Sequence, residues 1–180
     1  MSAPGLATLE TARLVLRPLR DGDLDAYAAM MADPEVARWV GAGGAPSTRA
    51  DAWRTMALLI GHGVLRGYTN HAVVERASGR FVGRVGLWFP EGWPGLELGW
   101  ALDRSTWGKG YATEAALAWR DHAFDVMGVD ELISVIRVDN ARSAAVARRI
   151  GHQPWRDEEV QGSPCTIWGQ TRVDWERNRA

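Results

Sequence analysis

Two glycines separated by one residue, Gly108 and Gly110, lie between a predicted strand and an alanine-rich predicted helix. Glycine lets the backbone turn tightly and approach a ligand closely, because no Cβ stands in the way. The first amides of a helix have no partners within the helix, and together with the helix dipole they attract an anion. The segment 107–114 therefore predicts a site for a phosphate-bearing cofactor.

Two other phosphate-binding motifs fit this segment poorly. A P-loop needs Ser or Thr after its Gly-Lys pair and a glycine five residues before that pair. Here Lys109 is followed by Gly110, and no glycine lies five residues before Gly108. The dinucleotide fingerprint needs a third glycine or an alanine where this chain has Thr113, a side chain too large for close packing of helix on strand.

The composition of the 180-residue chain excludes several functional classes. We expect a single domain over residues 1–180, ordered from about 9 to 175. Lys and Arg number 21 against 22 Asp and Glu, so the basic excess of a nucleic-acid binder is missing. Cys165 is the single cysteine and no His or Cys cluster has ligand spacing, so we predict neither an internal disulfide nor a metal site. No signal peptide or membrane-spanning stretch is recognisable, and we expect a cytoplasmic protein.

The elements that must position the glycines alternate along the chain. Strands are predicted at 13–17, 71–75, 81–89, 96–102, 131–138, 154–160 and 166–173, and helices at about 21–32, 48–62, 111–127 and 140–150. The strand–helix–strand unit from 96 to 138 favours a right-handed parallel crossover, whereas the hairpins require antiparallel neighbours. We predict a mixed α/β (α+β) fold, in which a mostly antiparallel mixed sheet of about seven strands carries about four helices on its faces.

The glycine segment resembles the pyrophosphate loop of the GNAT superfamily of N-acetyltransferases, in particular the RimJ/RimL branch, which acetylates protein N-termini. The loop maps onto Trp107-Gly-Lys-Gly110-Tyr-Ala112, with Trp107 where the family has Arg or Gln. Aromatic residues occur at this position in the RimJ/RimL branch, so the departure narrows the branch.

Three further segments carry the resemblance over about residues 9–175. Glu10–Arg17 and Leu98–Leu102 are similar to the first and fourth strands of the branch. Asn140-Ala-Arg-Ser143, followed by Gly151, is similar to its Asn-x-x-Ser motif, helix and closing glycine, although His152 stands where Phe is usual.

The resemblance implies acetyl-CoA as the cofactor and a GNAT-like sheet whose fourth and fifth strands splay apart around the pantetheine arm. The backbone of Trp100, Ala101 and Leu102 is then expected to hydrogen-bond that arm, and Asn140 and Ser143 are expected to contact the cofactor. The pyrophosphate would be held by Gly108, Lys109, Gly110, Tyr111, Ala112 and Thr113. Glu114, in the first helical turn, is expected to be structural.

Two residues are candidates for catalysis. The resemblance assigns Ser143 as the donor to the departing thiolate, whereas a hydrogen bond at the helix start is its alternative role. A tyrosine acid used in another branch is absent, since Ala147 occupies its position. The amine must lose a proton before it attacks, and Glu97 is the best candidate base, with an exposed strand carboxylate as the alternative.

Other polar and aromatic residues have less specific signals. Glu158 and Glu159 are weaker candidate bases, and His71 and His152 are more typical of structural histidines. Cys165 is expected to be a small core residue. Trp53, Trp100 and Trp119 fit apolar faces of predicted elements, whereas Trp39, Trp88 and Trp93 fall near the loops that build the acceptor site in the family.

We therefore predict an acetyl-CoA-dependent N-acetyltransferase that acts by direct attack of a primary amine on the thioester. The acceptor would be a peptide or protein N-terminus, an amino acid or a small amine, with neither nucleic acid nor membrane as a partner. A homodimer is compatible with the resemblance. The alternative is a non-catalytic acyl-CoA-binding or regulatory domain on the same fold, because no clear acid–base pair is evident.

Overall fold

The computed structural model describes residues 6–40 and 42–179, and this part of the chain forms one eight-stranded sheet with helices on both faces. The strands are β1 (Leu9–Glu10), β2 (Leu14–Arg17), β3 (Asn70–Glu75), β4 (Phe81–Trp88), β5 (Glu97–Leu102), β6 (Glu131–Arg137), β7 (Gln153–Val160) and β8 (Ser163–Thr171). The helices are α1 (Leu24–Ala32), α2 (Pro34–Ala37), α3 (Arg49–Arg66), α4 (Tyr111–Asp125), α5 (Ala141–Arg149) and α6 (Arg172–Arg177). The predicted mixed α/β class is confirmed.

The described residues hold one strand and two helices more than the sequence predicted. Strand β1 is only two residues long, which is too short for a periodic signal. Asp33-Pro34 ends α1 as expected, but it also starts α2, because the Asp33 side chain accepts a hydrogen bond from the Glu35 amide and Pro34 suits the first helical position.

The last predicted strand is too long at its C-terminal end. Residues 172 and 173 belong to α6, which begins where the Thr171 hydroxyl accepts a hydrogen bond from the Asp174 amide at 3.2 Å. The prediction of a strand to Val173 was wrong because the β-branched run masked this N-cap.

The sheet has the order β1-β2-β3-β4-β5-β6-β8-β7, and β5–β6 is its parallel pair. These two strands, the fourth and fifth of the prediction, pair in register only at Glu97 and Ile133. The Ser134 hydroxyl still bridges to the Leu98 carbonyl at 2.7 Å. Beyond that point the two strands separate, so the expected splay is confirmed.

Two apolar layers cover the sheet. Trp119 of α4, which is fully buried, centres one layer, and Tyr27 and Met56 belong to the other, under α1 and α3. The placement of Trp53 in the core was wrong, because its side chain is 53% exposed. The apolar pattern predicted a buried face of Trp53, Met56, Ala57 and Ile60. The buried face of α3 instead contains Ala52, Met56, Leu59 and Gly63, so the helix is rotated by one residue from the predicted face.

Candidate active site

The glycine loop connects β5 to α4 and leaves a row of backbone amides without partners. Gly108 and Gly110 have φ values of +79° and +80°, in the left-handed region that glycine adopts without strain. Gly110 is the N-cap of α4 and offers no side-chain cap. Within the described residues, no acceptor lies in hydrogen-bond distance of the amides of Gly108, Gly110, Tyr111, Ala112 and Thr113, whereas the Lys109 amide donates to the Thr106 carbonyl at 3.3 Å.

Residues of the turn between β1 and β2 hold the loop in place. The Glu114 carboxylate accepts hydrogen bonds from the Thr11 hydroxyl at 2.6 Å and from the Arg13 amide at 2.9 Å. The Arg13 guanidinium also donates to the Lys109 carbonyl at 2.9 Å and lies 4.7 Å from the centre of the Tyr111 ring. Glu114 thus has the contacts of a structural residue.

Trp107 joins the loop to the end of β5 and to α5. Its indole N–H donates to the Leu102 carbonyl at 2.9 Å. The guanidinium of Arg142, the second residue of α5, stacks 4.6 Å from the centre of the Trp107 ring. The charge of Arg142 therefore lies beside Trp107, the residue that stands where the family has Arg or Gln.

The edge of β5 presents backbone groups to the split between β5 and β6. The Asp103 amide donates to the Val82 carbonyl at 2.9 Å. This bond shows which alternate residues of β5 direct their backbone N–H and C=O groups to β4. Because antiparallel pairs alternate, Ala101 directs its polar groups to β4, whereas Trp100 and Leu102 direct theirs to the split. Of the three residues predicted to hydrogen-bond the pantetheine arm, only Trp100 and Leu102 direct backbone groups to the split. The expectation for the backbone of Ala101 was wrong, because its polar groups bond β4.

A cavity of about 370 Å³ opens at the split. Arg84 and Trp88 of β4 project to the same face as Glu97 of β5, because Trp88 pairs with Glu97 and alternate residues share a face. Gly86 pairs with Gly99 between them, and the Glu97 carboxylate extends over this pair, because a Cβ added at Gly99 would lie 3.3 Å from Glu97 Oε1. The cavity is also lined by Trp39, Trp93, Trp100, Asn140 and Ser143.

Glu97 is partly buried and its carboxylate is held by two donors. The indole N–H of Trp93 donates to Glu97 Oε2 at 2.8 Å, and the Val135 amide donates a second hydrogen bond. Burial of the carboxylate raises the pKa of Glu97 from 4.5 to about 7, although these bonds and the charge of Arg84 lower it. A carboxyl group with this pKa can exchange a proton near neutral pH.

The side chains of Asn140 and Ser143 have different partners at the start of α5. The Asn140 side chain caps α5 by accepting the Ser143 amide at 3.1 Å. The Ser143 hydroxyl is not part of this cap, and its oxygen accepts the indole N–H of Trp100 at 3.3 Å. Because the oxygen accepts this bond, the hydroxyl proton points away from Trp100. Ser143 also lines the cavity.

The remaining candidates lie outside the cavity or have structural contacts. His71 and His152 are fully buried, and burial lowers their pKa values to about 4 and about 3, so both are neutral at physiological pH. Glu158 and Glu159 lie on the edge strand β7 and do not line the cavity. Cys165 is buried on β8 at the wall of the cavity.

Sequence reasoning missed Arg84 and Asn70, which line the cavity together. Arg84 Nη1 donates a short hydrogen bond to Asn70 Oδ1, and Asn70 is 1% exposed. The available signal was a charged residue in the interior of an otherwise apolar strand, Phe81–Trp88.

Comparisons with known proteins agree with this fold. A family model described as an acetyltransferase (GNAT) domain matches residues 13–153. An uncharacterized N-acetyltransferase of Bacillus licheniformis, p20, is 27% identical over 150 residues, which cover 82% of this chain and 83% of that protein.

Two solved structures extend the comparison. An acetyltransferase from Agrobacterium tumefaciens strain C58 is 31% identical and matches with a TM-score of 0.80 over 92% of this chain and 94% of that one. RimL, a ribosomal L7/L12 alpha-N-protein acetyltransferase in complex with coenzyme A, has a similar fold, with a TM-score of 0.77 at 17% identity over 92% and 98% of the two chains.

Proposed function

The chain belongs to the GNAT family of acetyltransferases, and we propose that it transfers the acetyl group of acetyl-CoA to a primary amine by direct attack on the thioester. One observation carries the proposal: the carboxylate of Glu97 and the hydroxyl of Ser143 line one cavity, at the point where β5 and β6 separate. The reaction needs a proton acceptor on the amine side and benefits from a donor on the thiol side. The cavity offers one of each.

The residues present fit coenzyme A. The free amides of the glycine loop suit a pyrophosphate, and a Cβ added at Gly108 would meet no atom within 4 Å, so the loop borders open space. The guanidinium of Arg142 lies beside the loop and adds attraction for phosphate, whereas that of Arg13 is paired with Glu114 at 2.6 Å. The Trp100 backbone, which has no strand partner at the split, would hydrogen-bond the pantetheine arm as an added strand does.

The side chains of the cavity would handle the protons. Bound acetyl-CoA supplies the thioester carbonyl that the amine attacks. Glu97 removes the proton from the acceptor amine, and its pKa of about 7 suits a general base near neutral pH. The Ser143 hydroxyl, whose oxygen already accepts a hydrogen bond from Trp100, donates a hydrogen bond to the departing thiolate sulfur. The thiolate then takes a proton from solvent, and Glu97 releases its proton to solvent.

Calorimetry with acetyl-CoA tests the loop assignment. Gly110→Asp should abolish binding, because it adds bulk and negative charge where the pyrophosphate would sit. Gly79→Asp is a matched control, since Gly79 also has a positive φ of 69° and open surroundings, but it lies in the hairpin between β3 and β4. Normal binding by the Gly110 variant would show that the cofactor lies elsewhere.

A panel of amines tests turnover. Peptides with free N-termini, amino acids and small amines are offered with acetyl-CoA, and release of the coenzyme A thiol is followed. Amine-dependent release supports the enzyme, whereas tight binding without release by any amine supports a non-catalytic acyl-CoA-binding domain. A homodimer and a cytoplasmic location stay predictions; none of the helices in the described residues is long and apolar enough to cross a membrane.

A further inference from the structure

The cavity contains a positive charge that the acetyl-transfer chemistry does not use. Its charged lining residues are Arg84, Glu97 and Arg137. Arg137 lies toward the turn at residues 42–44, since a Cβ added at Gly44 would come within 3.2 Å of Arg137 Nη1. Arg84 instead lies on the floor of the cavity, in the same face as Glu97.

Arg84 is held in place by a neutral side chain and not by a directly bonded carboxylate. Its Nη1 donates to the Asn70 side-chain oxygen, and Asn70 in turn donates to the Gly86 and Leu87 carbonyls at 3.5 and 3.4 Å. Arg84 Nε is buried and has no hydrogen-bond acceptor, and no carboxylate in the described part of the chain pairs with this guanidinium. Glu97 acts on Arg84 through its charge without forming an ion pair, so this partly buried cation lacks a hydrogen-bonded anion, which a carboxylate on a ligand would supply.

The spacing on the cavity floor suits a small ligand with charges at two points. Arg84 lies opposite Ala101, and Glu97 lies opposite Trp88, so three pairs of the β4–β5 ladder lie between the two charged residues. Of these three, only the Gly86–Gly99 pair shares the face, and the Glu97 carboxylate extends over it toward Arg84, because a Cβ added at Gly99 would lie 3.3 Å from Glu97 Oε1. A ligand that lies across this floor can place an anion at Arg84 and an amine at Glu97.

The walls of the cavity define the rest of the ligand. Four indole side chains line it: Trp39, Trp88, Trp93 and Trp100. Indole faces pack well against flat or aliphatic groups. The volume of about 370 Å³ lies at the lower end of the range for small-molecule sites, which suits a single small molecule.

We propose that the acceptor is a free α-amino acid with an aromatic side chain, whose carboxylate binds Arg84 while its amine approaches Glu97 and its ring packs against the tryptophans. This inference rests on the proposed acetyl transfer and names its substrate class. A peptide N-terminus would place a neutral amide at Arg84 and leave the charge uncompensated. A polycationic acceptor would be repelled by the guanidinium of Arg84 on the floor of the cavity.

The test compares L-phenylalanine with L-phenylalaninamide, which differ in the carboxylate. We expect kcat/KM for phenylalanine to exceed that for the amide by about 100-fold. The amine of phenylalaninamide is less basic than that of phenylalanine, so a larger fraction of it is neutral and able to attack. This difference favours the amide and acts against the expected result. Arg84→Gln should lower kcat/KM for phenylalanine by about 100-fold and leave that for the amide nearly unchanged.

Two further variants control for charge and folding. Arg80→Gln removes an exposed arginine that bonds Ser105 outside the cavity, and it should behave as wild type. Arg84→Lys keeps the charge and should recover part of the selectivity. Acetyl-CoA binding equal to wild type shows that the Arg84 variants are folded.

The outcomes separate the substrate class from acetyl transfer itself. Equal use of phenylalanine and its amide, or an equal loss of both in Arg84→Gln, would overturn the amino-acid proposal and leave acetyl transfer intact. If no amine is acetylated, the fluorescence of the cavity tryptophans still reports binding. Saturable quenching by phenylalanine that Arg84→Gln removes would support the carboxylate site, and no quenching in the wild type would overturn it.

Discussion

Replacing Glu97 with glutamine should stabilise the fold at alkaline pH. Burial raises the pKa of Glu97 from 4.5 to about 7, so the folded protein keeps this proton to a higher pH than the unfolded chain does. The favourable contribution is complete below pH 4.5, and the free energy of unfolding falls as pH rises from there through 7. At about 1.4 kcal/mol per unit of pKa shift, the free energy of unfolding that is lost above pH 7 amounts to roughly 3 kcal/mol.

Urea denaturation at pH 5 and pH 8 measures this effect. The difference in free energy of unfolding between Glu97→Gln and wild type should shift in favour of the variant by roughly 2 to 3 kcal/mol from pH 5 to pH 8. Wild type loses stability over this range, whereas glutamine does not titrate. Glu131→Gln is a matched control, since Glu131 is an exposed carboxylate on the neighbouring strand β6. For this control, the stability relative to wild type should be the same at both pH values.

The same substitution should lower activity. Loss of the general base should lower kcat/KM at pH 8 by about 10² to 10⁴-fold and remove the rise in rate centred near pH 7. The variant would thus be more stable and less active than wild type. A Glu97→Gln protein with unchanged pH dependence of stability and near wild-type turnover would refute this reasoning and make Glu97 an ordinary strand carboxylate.

Three further substitutions have expected outcomes. Ser143→Ala should lower kcat by about 10²-fold with little change in the Kd for acetyl-CoA, because Asn140 caps α5 without the hydroxyl; equal kcat would remove Ser143 from the chemistry. Trp93→Phe removes a donor to the carboxylate, so the pKa of Glu97 should rise by about one unit, and an unmoved pH–rate profile would contradict this. Burial holds the pKa of His152 at about 3 against 6.5 unfolded, so stability falls as pH drops below 6.5. In His152→Phe, the fall in the free energy of unfolding between pH 6.5 and 4.5 should be smaller by about 2 kcal/mol, and chemical denaturation that shows the wild-type fall would oppose it.

The sequence was sufficient to predict the parts of the fold that rest on local signals. The glycine loop, the Asn140 cap and the α4 crossover follow from residue type and spacing, and the structure has the loop in the expected conformation. The face of α3 was predicted wrongly, because Trp53 satisfies an apolar pattern yet lies in solvent. Only the packing of α1 against α3 decides which of two adjacent faces is buried.

The candidate site was predictable where a motif exists and not where distant residues meet. Ser143 was predicted from the resemblance and Glu97 as a carboxylate on the fourth predicted strand, and both line the cavity. The grouping of Arg84 with Asn70 depends on the register between β3 and β4, which includes a bulge between Val73 and Val74. Register across such an irregularity is not encoded in any local pattern.

The central claim is that the cavity at the split between β5 and β6 transfers acetyl groups to amines. The most direct measurement follows thiol release from acetyl-CoA together with the mass of the amine product. We predict release that requires an amine, equals the formation of N-acetylated product, and rises with pH through about 7. Acetyl-CoA that binds but releases no thiol with any amine in the panel would contradict the claim.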